Sequence, residues 1–207
     1  MLPLFPLQVV LLPGAELPLH IFEDRYKEMI GEIIRDRNEF GVVLASDKGI
    51  VNTGCTATID RVLKTYPDGR LDILARGRRR FEIMRLNDER SYLRGAVEFF
   101  DDEDESNPVA PDTRRRAIEG FNELQALSSN DPLEAGDSGD PQLSFRLAQS
   151  VPDLTFRQLL LSTRSEAERI KQLAEFLPVY LVRQRRVTHL KDVAPRNGHG
   201  RNSGGIQ

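Results

Sequence analysis

Cysteine is the scarcest chemistry in this chain: Cys55 stands alone. A single thiol closes no internal disulfide, so packing must hold the fold, which fits a reducing compartment. Histidine is nearly as scarce, with only His20, His189 and His199. A zinc site needs three or four converging His, Cys or carboxylate ligands, so neither a metal nor another cofactor is expected. No uninterrupted apolar run reaches about 18 residues, which excludes a predicted membrane-spanning helix. The apolar start "MLPLFPLQVVLLPG" has no Lys or Arg ahead of it and is broken by Pro3, Pro6 and Pro13. It also lacks a small-residue cleavage site, so it is not read as a signal peptide, and the expected location is cytoplasmic. The phosphate-cradling G-x-x-x-x-G-K-[ST] loop is absent, as is the G-x-S-x-G nucleophile elbow. A net charge of −3 gives no general basic character for gripping nucleic acid.

What is present is 207 residues, 29% charged and 39% hydrophobic, enough for one large domain or two small ones with a real core. The first half reads as short strands. Val9 to Leu12 and Leu17 to Phe22 are apolar runs, and "FGVVLA" (Phe40 to Ala45) reads as a buried strand. Cys55, Ala57 and Ile59 alternate with threonines, the period-two signal of a strand. "YPDGR" (Tyr66 to Arg70) predicts a hairpin turn. Leu71, Ile73 and Ala75, then Phe81 and Ile83, then Leu93, Val97 and Phe99 continue the pattern. Many short strands with turns between them predict a barrel or sandwich. One helix interrupts them, with Asp24 as its N-cap and Tyr26, Met29, Ile30, Ile33 and Ile34 on one stripe. Such a helix would cover a barrel end.

"DDEDESNPVAPD" (Asp101 to Asp112) reads as a solvated acidic linker. Helices are predicted beyond it. The first opens at Pro111-Asp112 with Ile118, Phe121, Leu124 and Leu127 as its apolar side. A polar loop spans 128 to 142, and a short helix covers Leu143 to Gln149. Thr155 with Gln158 and Ser165 with Glu168 match capping-box spacing and start a short helix and a long one. Pro178 should kink the long helix. Its apolar residues exceed one stripe, with Phe176, Val179, Tyr180 and Val182 in addition, and such a surface suits a partner or a second copy. The expected domains are a β-barrel subdomain over 1–105, a helical subdomain over 106–192, and a disordered tail over 193–207.

Four candidate chemistries arise. His20 with Glu23 and Asp24 has no known zinc spacing, and the plainer reading is a strand end running into a helix N-terminus that favours carboxylates. "GDSGD" (Gly136 to Asp140), with Ser138, resembles the surroundings of a serine-protease nucleophile, but it sits in a polar loop of residue types that loops favour. "ARGRRRF" (Ala75 to Phe81) with Arg114 to Arg116 offers guanidinium forks for phosphate, yet Asp72, Glu82, Asp88 and Glu89 lie nearby and no aromatic stacking ladder accompanies them. Strand edges of an open barrel, or a groove between barrel and helices, would take an extended peptide.

The opening stretch "LPLFPLQVVLLPGAELPLHIFEDRYKEMI" (Leu2 to Ile30) closely resembles the start of the Lon protease N-terminal, substrate-binding domain. "FGVVL" (Phe40 to Leu44), "GCTATIDRV" (Gly54 to Val62), "DGRLDILARGRRRFEI" (Asp68 to Ile83) and "YLRGAVEFF" (Tyr92 to Phe100) follow in the family's order. "LSFRLAQSVP" (Leu143 to Pro152) and "LLLSTRSEAERIKQL" (Leu159 to Leu173) are similar to its helical part, so the resemblance covers about residues 1 to 190. It implies an α+β fold: a PUA-like β pseudo-barrel followed by a C-terminal helical bundle. Within it the P-L-H-I-F-E segment is scaffold, and His20 is not catalytic. The ATPase module and the Ser–Lys protease module of full Lon proteases have no counterpart in these residues. The resemblance therefore implies a free-standing, non-catalytic protein that recognises unfolded or exposed apolar polypeptide, as an adaptor or regulator in protein quality control. The alternatives are an RNA-binding module that uses Arg78 and Arg79, with nucleic acid the less expected partner, and a hydrolase that uses His20 or Ser138. The matched motifs are structural and name no binding residue.

Overall fold

The computed structural model describes residues 1–47, 49–103, 109–127 and 140–193, with side chains as far as 186. Six strands precede four of its five helices: β1 (Leu2–Leu7), β2 (Glu16–Ile21), β3 (Phe40–Ser46), β4 (Gly49–Thr65), β5 (Leu71–Asn87) and β6 (Arg94–Phe100). The helices are α1 (Asp24–Asp36), between β2 and β3, then α2 (Pro111–Leu127), α3 (Leu143–Ala148), α4 (Leu154–Ser162) and α5 (Glu166–Val193).

The sheet order is β2-β5-β4-β3-β1-β6, and β6 returns to pair with β5, so five strands form a ring with β2 as a side strand. Two long strands make this possible. The β4–β5 hairpin turns at Tyr66–Arg70, where Gly69 adopts φ +83° and donates its N–H to the Tyr66 carbonyl. A left-handed turn position of this kind is the reason for glycine there. One edge of β5 follows β4. The other pairs with β2 over residues 71–76 and with β6 over residues 80–87. Gly77 is the changeover. Its N–H donates to the Ala15 carbonyl, its own carbonyl accepts from Gly14, and a Cβ at this position would lie 2.2 Å from the Leu12 carbonyl oxygen. Only glycine lets the loop after β1 pass that close.

The main core runs through both halves. Phe5, Phe40 and Ala75 of the sheet share one apolar cluster with Tyr26 and Ile30 of α1, Phe121 of α2, Phe145 of α3 and Leu173 of α5. A second, smaller cluster of Leu4, Val43 and Phe81 fills one end of the ring, where the Phe81 ring lies over Gly41 and Gly54.

Several sequence expectations shift in detail. The N-cap of α1 is Glu23, whose side chain makes no capping bond, and Asp24 is already in the first turn. Ile34 falls off the buried stripe and is 41% exposed. Val9 to Leu12 is a loop, mostly buried, because its carbonyls serve the Ala15 N–H of the following turn and Arg157 of α4 instead of a ladder. The alternation over Cys55–Ile59 is overridden: Thr56 is as buried as its neighbours, since α4 covers the outer face of β4. The cap of α4 is Asp153, which accepts from the Phe156 N–H at 2.9 Å; Thr155 lies inside the helix. Ser165 does cap α5, accepting from Glu168 N–H at 2.9 Å. The buried side of α2 is Ala117, Gly120, Phe121 and Leu124, with Leu127 exposed, because Gly120 admits Leu177 of α5 to close contact. Residues 128–139 and the tail from 194 lie outside the described residues.

Candidate functional site

A hollow opens at the end of the ring beside the small Leu4–Val43–Phe81 cluster. It is a cleft of about 900 Å³ between the C-terminal end of α1, the start of β1, and β6. Leu2 and Val97, partly buried against that cluster, form its apolar floor. Met1 and Phe99, 54% and 43% exposed, extend the apolar lining to the rim.

The rim is polar and mostly self-neutralised. Arg79 stacks over Phe99, 4.0 Å from the ring centroid, and donates to Glu39 at 3.4 Å. Arg90 donates to both carboxylate oxygens of Glu32, at 2.8 and 3.0 Å, and the Tyr92 hydroxyl donates to the same carboxylate at 2.5 Å. The hydrogen bond from Tyr92 is the main reason that the Glu32 carboxyl is held below its ordinary range, with Arg90 adding to it. Two guanidiniums are less satisfied. Arg94 reaches Asn87 at 3.1 Å and Glu89 only at 3.8 Å, and its Nε is buried with no acceptor. Arg37 sits at the C-cap of α1 in the left-handed region, φ 55° and ψ 40°, with no ion pair among the described residues.

The strand edge beside the cleft is open. Leu2 and Pro3 pair with Gly95 and Arg94, and Leu4 N–H donates to the Leu93 carbonyl at 2.8 Å. Leu93 and Gly95 therefore turn their backbone groups toward β1. The period of two in a strand turns those of Val97 and Phe99 the same way. No described strand lies beside them there.

The arginine segment divides in two. Arg76 is held by Asp60 at 2.7 Å and Glu16 at 2.6 Å, and Arg79 by Glu39. Arg115 is paired with Asp112 and Glu119. Arg80 is no solvated residue: it is 5% exposed. It donates to Asp102 at 2.5 Å and to the Thr163 carbonyl at 2.7 Å. Arg169, fully buried on α5, bonds both oxygens of the same Asp102 at 2.6 Å, and also Glu166 and Ser144. This corrects the solvated-linker reading of Asp101–Asp112 at one residue. Burial raises the Asp102 carboxyl, but Arg169 and Arg80 outweigh it and hold it below its ordinary value. The network joins β5, the segment after β6, α3 and α5. The expected barrel–helix groove is thus largely filled; a polar hollow of about 300 Å³ between Gly14 and Arg146 lies at that boundary.

His20 meets neither Glu23 nor Asp24. Its Nδ1 lies 2.5 Å from Asp72 across the β2–β5 ladder, and Tyr66 donates to the other Asp72 oxygen at 2.8 Å. These two contacts, His20 first, lower the Asp72 carboxyl. Among the described side chains no nucleophile or metal-ligand group joins the pair. Ser138 and His199 lie outside the described residues, and His189 lies beyond the last described side chain. Cys55 is buried, and burial pushes its thiol up to about 12, so it carries no thiolate at neutral pH. On the helical half, Phe176 stacks on Phe156 at 3.8 Å and on Tyr180 at 5.4 Å, beside Val179 and Val182, which are 72% and 50% exposed. No described helix is long and apolar enough to cross a membrane.

The comparisons with known proteins agree with this architecture. The family model described as the ATP-dependent protease La (LON) substrate-binding domain matches residues 1–178. The Lon protease of Parabacteroides distasonis is 32% identical over 129 residues, which are 58% of this chain and 15% of that protein. Lon protease 2 of Myxococcus xanthus is 26% identical over 193 residues, 85% of this chain and 23% of that protein. The chain thus spans less than a quarter of the length of these relatives. The crystal structure of a Lon N-terminal domain protein from Xanthomonas campestris has a TM-score of 0.66 at 29% identity, covering 84% of this chain and 97% of that one. The N-terminal domain of the Mycobacterium avium complex Lon protease shares the fold, with a TM-score of 0.57 at 16% identity over 86% of this chain and 97% of that one. With the family model spanning 1–178 and a ring of strands followed by helices, the chain belongs to the Lon substrate-binding domain family.

Proposed function

We infer that this protein binds unfolded or exposed apolar polypeptide without transforming it, as an adaptor or regulator in protein quality control. The observation that carries the reading is the cleft at the ring mouth. An apolar floor with a polar rim and an adjacent open strand edge suits an extended chain better than a compact metabolite. Family membership supports the same class of ligand. The paired state of Arg76, Arg79, Arg80 and Arg115 argues against a phosphate-gripping face, because each guanidinium already has a carboxylate.

The test is a fluorescence anisotropy titration of a labelled, permanently unfolded polypeptide and a labelled single-stranded RNA, each at low and moderate salt. Binding of the polypeptide that survives the added salt is expected. Binding of RNA alone, lost steeply with salt, would refute the reading.

The exposed Val179 and Val182, beside the half-buried Phe176 and Tyr180, favour a second contact, to a second copy or a partner protein through the helical half. Val179→Asp with Val182→Asp should then abolish self-association in sedimentation velocity; unchanged sedimentation of a dimer would rule this surface out.

A further inference from the structure

We propose that the ring-mouth cleft captures its ligand by strand addition to β6, in line with β1, and prefers an apolar segment carrying a carboxylate. The inference rests on the polypeptide-binding reading above and specifies how that binding is made.

Three observations converge. First, β1 covers β6 only at Gly95 and Arg94, so the N–H and C=O groups of Val97 and Phe99 face a vacant edge. Natural sheets blunt such edges with charged side chains, proline or a bulge on the edge strand; "AVEFF" (Ala96 to Phe100) contains no proline, and its one charge, Glu98, alternates with Val97 and Phe99 and so lies on the other face. The bulge in this ladder lies on β5, between Ile83 and Arg85. Second, Val97 and Phe99 also line the cleft with their side chains. In an antiparallel ladder, the direction in which β1 itself meets β6, a partner residue that bonds to Val97 or Phe99 lays its own side chain on the same face. Main-chain bonding and apolar burial therefore fall on the same alternate residues of the ligand. Third, the lining has charge to spare. Glu32 and Glu39 are taken by Arg90 and Arg79, and Asp36 by Arg35. Arg37 has no ion pair among the described residues and Arg94 has only a long one, to Glu89 at 3.8 Å, so these two guanidiniums are left to meet a carboxylate from the ligand.

Arg37 adds an independent sign. A non-glycine residue in the left-handed C-cap costs stability relative to glycine. Replacing it by glycine should therefore stabilise the fold while removing a ligand contact. Opposite changes in the two properties would separate a binding role from a structural one.

The probe is a short fluorescent peptide alternating valine and serine, with one valine position changed to glutamate. In the bound register its valine and glutamate side chains face the cleft and their N–H groups face β6. N-methylation of the valines should abolish binding, and N-methylation of the serines should leave it within about twofold. Glutamate→Gln in the peptide, or Arg37→Gly in the protein, should weaken binding several-fold, while Arg37→Gly raises the melting temperature. Binding indifferent to which residues are methylated overturns strand addition, and if the unfolded polypeptide still binds, the broader reading stands. Failure of both the peptide and the unfolded polypeptide to bind overturns both. A dimer that the peptide disperses would assign the edge to a second copy of this chain and overturn the proposal.

Discussion

Asp102 stands in an acidic run by sequence and between two guanidiniums by fold. Arg80 and Arg169 leave water because Asp102, which bridges them, and Glu166 together neutralise both, and a buried pair that loses one member leaves an uncompensated charge. Asp102→Asn should lower the unfolding free energy by about 3–5 kcal/mol in chemical denaturation. The sign of the pH dependence follows from the lowered carboxyl. Its stabilising contribution is fully present above the ordinary carboxylate range and is lost as pH falls through the lowered folded value. The stability gap between the wild type and Asp102→Asn should therefore narrow on acidification toward that value and stay flat above it. Gly77 is the second residue whose role is a matter of contact. Gly77→Ala places a methyl group against the Leu12 backbone and should cost about 1–3 kcal/mol, measured the same way.

Among the elements, α4 and α5 carry the clearest expectations. Asp153, not Thr155, holds the start of α4. Asp153→Ala should cost about 1 kcal/mol, and Thr155→Ala should cost clearly less. Pro178 lies inside α5 on an exposed position. It removes one helical hydrogen bond and crowds the preceding turn. Pro178→Ala should raise the thermal midpoint, by up to about 3 kcal/mol in free energy. An unchanged or lower midpoint would mean that the neighbours of α5 are fitted to a bend. The β4–β5 hairpin is the element that organises the sheet, since its two strands reach every other strand except β1.

For the whole molecule, the continuous cluster from Phe40 through Phe121 to Leu173 joins ring and helices. Phe121→Ala on α2 should cost about 3–5 kcal/mol. It should do so equally for probes placed in the barrel and in the helices, as a single cooperative transition. Two separate transitions would mean that the Arg80–Asp102–Arg169 network is a contact between independent units. The ring mouth is also a property of the whole: it exists because β1 runs beside β6 for only its first residues while α1 ends across from them.

The sequence by itself determined the strand-rich first half, the Tyr66–Arg70 hairpin, the α1 stripe and the helical second half. Each follows from local periodicity and turn chemistry, which act over a few residues. Its ordered motifs also determined the family. The G-x-x-R-F segment, Gly77 to Phe81, shows the limit of that reading. Its glycine, arginine and phenylalanine are visible in sequence, but their reasons are a passing loop, a carboxylate 22 residues away and two glycines on neighbouring strands. Only the tertiary structure decided that Arg80 is buried while Arg79 is not, that His20 meets Asp72, and that β6 keeps an open edge above an apolar floor. Those are outcomes of long-range pairing, in which strand register and layer packing choose a partner that no local pattern contains.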